Sequence, residues 1–479
     1  MGMKLANLKL KSDYLSLDDI FYHEVKPEPL NNPHLISANK DAADLIGLDE
    51  DELHTDTFVN FVNGKLEIPY KPYAMCYAGH QFGFFVPRLG DGRAINLGET
   101  NGWHLQLKGA GLTRYSRDGD GRAVLRSSIR EYLMSEAMHG LHIPTTRALA
   151  IIGSTHRVYR EDWESGAIVL RMSPTWIRFG SFEYFYHAKK HAELEQLADY
   201  SIKESFPHLV GDKDAYIKMF TEVVESTAIM IAKWMGVGFN HGVMNTDNMS
   251  IAGLTIDYGP YAFLDEYDFD YICNHTDQGG RYSFGNQPQV GKWNLSMLMN
   301  ALSPLVNIDK MQEVLDTYGD IFNKAHLQIL LDKLGLETHH EKDTELLSAL
   351  FDFMQNQRID YTYFFRTLSH YNGDRTKLLS ICMMKKPLDE WLYIYDTRLK
   401  LEDRNTDDRV KAMLKTNPKY VLKNYMLQEA IDKANEGDFS GVEDLMILAR
   451  LPFEEHEKFD HYAKETPLKH KNLKLSCSS

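Results

Sequence analysis

The sequence predicts an α+β fold of two lobes, a β-rich first lobe followed by a mainly helical second lobe. Residues 82–172 alternate polar and apolar side chains in short segments separated by glycine-containing turns, which is typical of antiparallel strands. From residue 215 onward the apolar residues recur at helical spacing. The densest polar motif follows the first long helix of this second pattern, so we expect a cleft between the lobes to hold the functional site.

The strand-rich part contains an antiparallel meander. Asn101-Gly102 separates two apolar segments and favours a tight hairpin turn. On the strand after this turn, Leu105 and Leu107 face one side of the sheet and Lys108 faces the other, because side chains alternate along a strand. The predicted strands cover residues 94–98, 104–108, 147–152, 156–160 and 167–172.

The helical elements follow from apolar spacing. A helix is predicted over residues 122–139, and a longer one over residues 216–235 that ends at Gly236. Two short strands with a turn at Gly253 follow the longer helix, and amphipathic helices such as residues 344–355 fill much of the remainder. The buried stripe of the first helix consists of Leu125, Ile129, Leu133 and Ala137.

These patterns and the composition limit how the chain can be organised and which partners it can have. The net charge of −15 argues against a general nucleic-acid binder, which usually has a basic surplus. We recognise neither a signal peptide nor a stretch of roughly 20 apolar residues, so we expect a soluble, cytoplasmic protein without nucleic-acid or membrane partners. The predicted parts are an N-terminal extension (1–75), the first lobe (76–175), the helical second lobe (176–440) and a C-terminal tail (441–479).

The densest polar motif runs from His241 to Asn248 and is followed by Asp257-Tyr258-Gly259. Protein kinases carry a catalytic loop H-R-D-x-x-x-x-N and then D-F-G, in which the Asn and the second Asp hold magnesium. His241 and Asn248 keep the spacing of the kinase loop, and Asp257 takes the place of the D-F-G aspartate. Oxygen ligands of this kind suit Mg²⁺. A polar surface hairpin is the alternative interpretation of these residues alone, since Asn, Asp and Gly are common in turns.

One departure from the kinase loop bears on the reaction. Val243 occupies the position of the loop aspartate, and valine cannot accept a proton. Asp247, directly before Asn248, is the nearest carboxylate that could act as a general base. The sequence therefore argues against an ordinary kinase mechanism.

Charged residues in both lobes are candidates for binding phosphate. Lys108 on its strand and Glu131 on the next helix match the kinase pair in which a glutamate holds a phosphate-binding lysine. Glu136 is a rival partner, and a surface lysine beside a solvated glutamate is the plain alternative. Arg171 and Arg178 flank the junction of the lobes, where the rigid fork of arginine matches phosphate oxygens.

Two glycine-containing turns complete the candidate site. Gly90, Gly92 and Arg93 belong to the first turn, and Asp120 and Gly121 belong to the second. Glycine allows the backbone to approach a ligand closely, although an ordinary hairpin turn has the same composition. The chain has no G-x-x-x-x-G-K-[ST] sequence, which excludes a P-loop nucleotide fold.

Four stretches of the chain resemble the selenoprotein O family of protein adenylyltransferases. The stretches are residues 77–99 (YAGHQFGFFVPRLGDGRAINLGE), 105–117 (LQLKGAGLTRYSR), 120–139 and 241–260. The ending Cys477-Ser478-Ser479 also resembles the family, some members of which carry selenocysteine near the end. The resemblance implies a protein-kinase-like fold in which ATP is bound in a flipped orientation that presents its α-phosphorus to the acceptor.

The resemblance also implies the reaction and the roles of residues. AMP would pass from ATP to Ser, Thr or Tyr hydroxyls of proteins with release of pyrophosphate, and UMP transfer from UTP with Mn²⁺ is also associated with the family. Asp247 would be the general base, and Asn248 and Asp257 would hold Mg²⁺. The implied nucleotide-binding residues are Gly90, Gly92, Arg93, Lys108, Asp120, Gly121, Arg171, Arg178 and Asp257, with Glu131 orienting Lys108.

The family further suggests a redox link. Cys273 lies in the polar segment 265–285, which occupies the place of a kinase activation loop. Our hypothesis is that Cys477 pairs with Cys273 and limits access to the cleft. Two reduced thiols are the alternative, since the cytosol is reducing.

Two other functions stay open from the residues alone. One is a kinase that transfers the γ-phosphoryl group, and the other is a non-catalytic pseudokinase that binds ATP as a scaffold. The presence of Lys108, Asn248 and Asp257 argues against the scaffold. A metal site built on His339-His340 is a poor alternative, because these histidines lie in a charged stretch.

Overall fold

The computed structural model describes residues 2–65, 71–471 and 473, and it has the expected α+β class. The strands are β1 (Tyr22–Glu24), β2 (His34–Ala38), β3 (Tyr73–Met75), β4 (Gly79–Gln81), β5 (Phe84–Val86), β6 (Ala94–Thr100), β7 (Trp103–Lys108), β8 (Ala123–Val124), β9 (Arg147–Tyr159), β10 (Trp163–Ser173), β11 (Phe239–Asn240) and β12 (Ala262–Phe263).

Helices dominate the chain after β10. The helices are α1 (Lys40–Leu45), α2 (Asp56–Val62), α3 (Leu125–Gly140), α4 (Phe179–His187), α5 (His191–Ser205), α6 (Ala215–Gly236), α7 (Gln287–Leu302), α8 (Ile308–Asp316), α9 (Tyr318–Leu334), α10 (Asp343–Gln357), α11 (Tyr361–Ser369), α12 (Thr376–Ser380), α13 (Lys385–Leu399), α14 (Thr406–Thr416), α15 (Asn424–Asn435) and α16 (Ser440–Arg450).

The main antiparallel sheet has the order β1-β3-β6-β7-β10-β9-β2, with β8 added to β10. Its β6–β7 hairpin turns at Asn101 (φ 51°) and Gly102 (φ 77°), so both turn residues are left-handed, as the tight turn predicted there requires. Strands β1 and β2 also belong to this sheet, although they precede residue 76. The N-terminal residues therefore help to build the sheet that carries Lys108.

Side-chain alternation on β10 decides what faces the functional region. Leu170 and Met172 lie in a core shared with α1 and α2. Val169 packs in the other core, which includes α3, and Arg171 bonds to a residue of that helix. Arg171 is thereby held on the face of the sheet that packs against α3.

Helix α3 begins at Leu125 rather than at residue 122. Ala123 pairs with Ala167 and Val124 pairs with Gly166 of β10, so the sheet holds these residues before the helix can start. The predicted apolar stripe is buried along its whole length. Glu131 of the same helix is also buried, with 4% of its surface exposed.

Two predicted details were wrong. The strands predicted at residues 147–152 and 156–160 form one strand, β9, because Gly153 continues the ladder by pairing with both Ala167 and His34. The two short strands predicted around Gly253 reduce to a bridge between Met249 and Thr255, although Gly253 does make the turn (φ 63°).

The helical part positions the polar motif through a short ladder. The long helix α6 confirms the one predicted over residues 216–235, and α7 and α9 pack against it. Directly after α6, Phe239 pairs with Phe263 and Asn240 pairs with Ala262. The loop from His241 to Tyr261 therefore leaves from one strand of this ladder and returns by the other. No helix among residues 2–65, 71–471 and 473 combines the length and apolarity that crossing a bilayer requires.

Candidate active site

A cavity of about 570 Å³ lies between the main sheet and the loop that follows β11. Residues of β7, α3 and β10 line one side, and the polar motif lines the other. Arg178 does not line the cavity but bonds to Asp257 from behind it. The predicted residues that line it are Gly90, Gly92, Arg93, Lys108, Asp120, Gly121, Glu131, Arg171, Asp247, Asn248 and Asp257.

Asp257 is the centre of a dense charge network. Its Oδ1 accepts hydrogen bonds from Lys108 Nζ (3.1 Å) and Arg171 Nη1 (2.6 Å). Its Oδ2 accepts from Arg178 Nη1 at 3.0 Å. Burial acts to raise the pKa of Asp257, but the three cations outweigh it and hold that pKa well below its usual range. This carboxylate is therefore ionised throughout the physiological pH range.

The backbone of Asp257 is also unusual. Its φ angle is +57°, in the left-handed region that non-glycine residues seldom occupy. Such a conformation persists only where the surroundings impose it, and it is common at functional sites. At Asp257 the three cation contacts can supply that restraint.

Glu131, rather than Glu136, is the partner of Lys108. Glu131 Oε2 lies 2.6 Å from Lys108 Nζ, and its Oε1 accepts from Arg171 Nη1 at 2.7 Å. Glu136 lies one and a half turns further along α3 and forms a buried two-point ion pair with Arg147 (2.9 and 2.8 Å). The rival pairing is thus excluded, because Glu136 is already occupied.

Aromatic rings support the two buried arginines. The Arg171 guanidinium lies 4.6 Å from the ring centre of Trp176, and that of Arg178 lies 4.4 Å from the ring centre of Tyr77. Their side chains are only 4% and 2% exposed. Cations held against aromatic faces in this way are fixed in direction and weakly hydrated. The deep end of the cavity is therefore cationic rather than apolar.

Asp247 has an environment opposite to that of Asp257. Its Oδ2 accepts a hydrogen bond from Gln81 Nε2 at 3.2 Å. Its Oδ1 is buried and has no hydrogen-bond partner within residues 2–65, 71–471 and 473. Burial raises the pKa of Asp247 to about 7, although Arg178 and Gln81 act to lower it. A carboxyl group with a pKa near neutrality can take up a proton from a hydroxyl group and release it again.

The remaining residues of the polar motif organise its loop. Asn248 Nδ2 donates to the carbonyl oxygen of Val243 (2.9 Å), which fixes the orientation of the amide. His241 is buried, and burial lowers its pKa to about 4, so its ring is neutral at physiological pH. Neither Val243 nor His241 offers a proton acceptor comparable to Asp247.

The two glycine-containing turns, which line the cavity, both pack against the segment of residues 111–116. Gly90 has φ +91°, and a Cβ atom there would lie 2.5 Å from the Tyr115 ring. Gly121 has φ +69°, and a Cβ atom there would lie 2.1 Å from the carbonyl oxygen of Gly111. A larger residue at either glycine would push this segment away. These glycines are therefore required by the packing of the turns themselves.

Asp120 lies on the rim, next to an arginine that the sequence did not single out. Arg160 forms a two-point ion pair with Asp120 (2.8 and 2.9 Å) and itself lines the cavity. Partial burial acts to raise the pKa of Asp120, but Arg160 outweighs it and lowers that pKa. Arg93 lines the same rim and is exposed. The rim therefore adds positive charge to the cationic deep end.

The donor atoms fit a divalent cation that is shared with a nucleotide. Asp247 brings a buried oxygen without a partner, and Asn248 and Asp257 line the same cavity. In the described part of the chain, no group of three His, Cys, Asp or Glu side chains could hold a metal ion by itself. Mg²⁺ is usually bound by one or two carboxylates and completes its shell with substrate phosphates and water. The residues thus suit Mg²⁺ that arrives with a triphosphate.

Cys273 is buried beside the loop of the polar motif. Its Sγ donates to the carbonyl oxygen of Pro260 at 2.8 Å, and only 4% of its surface is exposed. Cys477, its partner in our redox hypothesis, lies outside the described residues. The structure therefore shows one thiol of the hypothetical pair, in a protected position.

Sequence reasoning missed the hairpin formed by β4 and β5. Gln81 and Phe82 line the cavity, and Gln81 contacts Asp247 directly. Arg160, which follows the end of β9, was missed as well, since an isolated arginine at the end of a predicted strand is more often a surface residue. The available signal was the aromatic run around Gly83, which resembles neither a core strand nor an ordinary loop.

Comparison with known proteins identifies the family. A family model described as "Protein adenylyltransferase SelO" matches residues 4–450. The chain belongs to this family. A relative from Photobacterium profundum, named "Protein nucleotidyltransferase YdiU", is 45% identical over 99% of both chains. A relative with the same name from Myxococcus xanthus is 46% identical, again over 99% of both chains. The family resemblance predicted from the sequence is confirmed.

Proposed function

We propose that this chain, as a member of the SelO family, transfers AMP from ATP to Ser, Thr or Tyr hydroxyl groups of proteins and releases pyrophosphate. In this proposal the fold is protein-kinase-like, with the main sheet in one lobe and α4 onward in the other. Asp247 is the general base, and Asn248 and Asp257 hold Mg²⁺. The observation that carries the proposal is the cationic deep end of the cavity.

The position of the cations favours the flipped orientation of ATP. Arg171 and Arg178 are buried where the chain crosses from β10 to α4, with Lys108 beside them. A purine ring placed there would face charged groups, whereas phosphate oxygens would form charge-assisted hydrogen bonds with them. The outer phosphates therefore occupy the deep end, and the α-phosphorus faces Asp247.

The roles of the residues follow from this orientation. Asp247 accepts the proton of the acceptor hydroxyl group while the oxygen of that hydroxyl group forms a bond to the α-phosphorus. The bond from the α-phosphorus to the bridging oxygen breaks, and pyrophosphate leaves with the bonding electrons. Lys108 and Arg171, which line the cavity, stabilise the negative charge that develops on pyrophosphate, and Arg178 adds positive charge from behind Asp257. When bound, Mg²⁺ neutralises further charge on the phosphates.

The charge balance around Asp257 is consistent with an exchange of partners when ATP binds. Lys108, Arg171 and Arg178 carry three positive charges, and Glu131 and Asp257 carry two negative ones. The surplus positive charge attracts a polyanion. With phosphates bound to the cations, Asp257 can turn its oxygens to the metal. UMP transfer from UTP with Mn²⁺ stays a prediction from the family.

The position of the transferred label tests the reaction. The protein is incubated with ATP labelled at the α- or the γ-phosphorus and with an acceptor peptide pool that carries Ser, Thr and Tyr. We expect label on protein or peptide only from the α position, with a mass increase of one AMP. Label from the γ position would establish a kinase instead, and label from neither position would favour the scaffold. Asp247→Asn is the matched control, which should incorporate the α label about a hundredfold more slowly while still binding ATP.

We also propose that Cys273 and Cys477 can form a disulfide that limits access to the cavity, by thiol–disulfide exchange with a small-molecule disulfide that is reduced to two thiols. Cys273 is buried against Pro260, so pairing requires this contact to open. Intact-mass analysis after thiol alkylation, with and without reductant, tests the pairing. We expect two fewer alkylated thiols without reductant, and an unchanged count would contradict the proposal.

A further inference from the structure

The β4–β5 hairpin belongs to the polar motif rather than to the main sheet. Its strands pair only with each other in the described sheets, with Gln81 opposite Phe84. The turn residues Phe82 (φ +51°) and Gly83 (φ +85°) are both left-handed, which makes a tight and well-defined turn. The hairpin packs on α4 and on the short helical turn Thr246–Asn248.

Three consecutive hairpin residues each contact the loop that carries Asp247. The main-chain nitrogen of His80 donates to Thr246 Oγ1 at 2.7 Å. Gln81 Nε2 donates to Asp247 Oδ2 at 3.2 Å. Phe82 N donates to Asn245 Oδ1 at 3.4 Å. Residues 80–82 and 245–247 are therefore joined side by side, although more than 160 residues separate them in the chain.

Further bonds make this junction rigid. Glu183 of α4 contacts both sides of it, since its Oε1 lies 2.5 Å from His80 Nδ1 and its Oε2 accepts from Thr246 Oγ1. Tyr282 OH accepts from Phe82 N (2.8 Å) and donates to Asn245 Oδ1 (2.7 Å). Hydrogen bonds from two other elements thus fix both the hairpin and the loop.

The hairpin also leaves room for the carboxylate. A Cβ atom on Gly79 would lie 2.9 Å from Asp247 Oδ1, so a larger residue would push the carboxylate away. Gly79 lies against one oxygen and Gln81 bonds to the other. The hairpin therefore determines where the Asp247 carboxylate stands and how it is rotated.

We infer that Gln81 is a positioning residue for Asp247, and that the β4–β5 hairpin holds Gln81 in place against the Asp247 carboxylate. This inference rests on the proposed function, in which Asp247 is the general base. In the described part of the chain no hydrogen bond joins Gln81 to Lys108, Arg171 or Arg178, so Gln81 should affect the rate of transfer and not the affinity for ATP. A base misplaced by about 1 Å can cost about a hundredfold in rate.

Gln81→Met tests the inference, because methionine keeps the length of the side chain and removes the donor. With α-labelled ATP and an acceptor peptide pool, we expect kcat to fall about ten- to hundredfold. The KM for ATP, and the affinity for a non-hydrolysable ATP analogue measured by calorimetry, should stay within about twofold. Phe84→Ser is the matched control: Phe84 lies opposite Gln81 in the hairpin, is 78% exposed, and should leave kcat unchanged.

A double-mutant cycle separates positioning from a general structural role. If Gln81 acts through Asp247, Gln81→Met should cause no further loss of rate in the Asp247→Asn background. An additive loss in that background, or a loss of ATP affinity that accounts for the fall in rate, would overturn the inference. So would a Gln81→Met enzyme with wild-type kcat. Failure of the proposed function is a distinct result, since the wild-type protein would then transfer no α label at all.

Discussion

Asp247 and Asp257 lie in one cavity, and their surroundings differ in almost every respect. Three cations contact the carboxylate of Asp257. Asp247 accepts one neutral hydrogen bond, from Gln81, and its other oxygen has no partner in the described part of the chain. Burial acts on both residues in the same direction, towards a higher pKa. The neighbours, not the burial, make the difference.

This difference separates the two chemical roles. A carboxylate that stays ionised at every physiological pH suits a metal ligand. A carboxyl group whose pKa is about 7 suits proton transfer. Environments that push the pKa values of two titratable groups apart are a general way to recognise acid–base assignments at an active site.

We expect the largest loss of transfer activity from a substitution of Asp257. Asp257→Asn keeps the shape of the side chain but removes the charge that holds Lys108, Arg171 and Arg178 in place and that would bind Mg²⁺. Because coordination of the metal contributes several kcal/mol to the transition state, we expect transfer to fall about a thousandfold or more. The assay is release of pyrophosphate with ATP and Mg²⁺.

Circular dichroism is the control for this variant, since a protein that no longer folds would also be inactive. A folded Asp257→Asn protein with wild-type transfer would remove the metal assignment. Excess Mg²⁺ should not restore the rate, because the ligand itself is missing.

The next effect is expected at Asp247. Asp247→Asn removes the proton acceptor and leaves every cation in place, so we expect kcat to fall about a hundredfold and the KM for ATP to change little. Isothermal calorimetry with a non-hydrolysable ATP analogue measures the affinity. A weaker affinity with an unchanged kcat would reverse the roles assigned to the two aspartates.

A third prediction compares two glutamates of α3. Glu131 orients Lys108 and Arg171, whereas Glu136 is paired with Arg147 away from the cavity. We expect Glu131→Gln to raise the KM for ATP about tenfold, because the cations that we propose to bind phosphate lose a fixed partner. Glu136→Gln should instead lower the melting temperature and leave the KM for ATP within about twofold, since breaking a buried ion pair costs about 3–5 kcal/mol. A raised KM in Glu136→Gln with an unchanged KM in Glu131→Gln would contradict the pairing of Lys108 with Glu131.

The sequence singled out most of the residues that meet at the cavity, but it predicted the boundaries of the elements less well. Residues of the polar motif, together with Lys108 and Glu131, were recognisable because metal and phosphate chemistry restricts residue types and spacings. The start of α3 was not, because the pairing of Ala123 and Val124 with β10 depends on a strand more than 40 residues later in the chain. Local periodicity cannot report such a contact.

The same limitation explains why the β4–β5 hairpin and the N-terminal strands were not recognised. The contact of Gln81 with Asp247 joins residues 166 positions apart, and β2 pairs with β9 across more than 100 residues. The role that we infer for Gln81 depends on that contact and not on its residue type. Long-range contacts of polar side chains leave no periodic pattern for a reader of the sequence to find.

The smallest expected effect is on thermal stability. Here the Asp→Asn substitutions at Asp247 and Asp257 should change the melting temperature in opposite directions. The folded-state pKa of Asp247, about 7, lies above its unfolded value of 3.8, so the folded protein loses stability as pH rises between these values. Without nucleotide or metal, Asp247→Asn should therefore raise the melting temperature at pH 8 by about 2–4 °C, and the gain should shrink towards pH 5. The pKa of Asp257 is lowered on folding, so Asp257→Asn should lower the melting temperature at pH 8. Differential scanning calorimetry at pH 8 measures both changes in melting temperature. Changes of the same sign would contradict the contrast, because they would mean that the two sites act on a carboxylate charge in the same way.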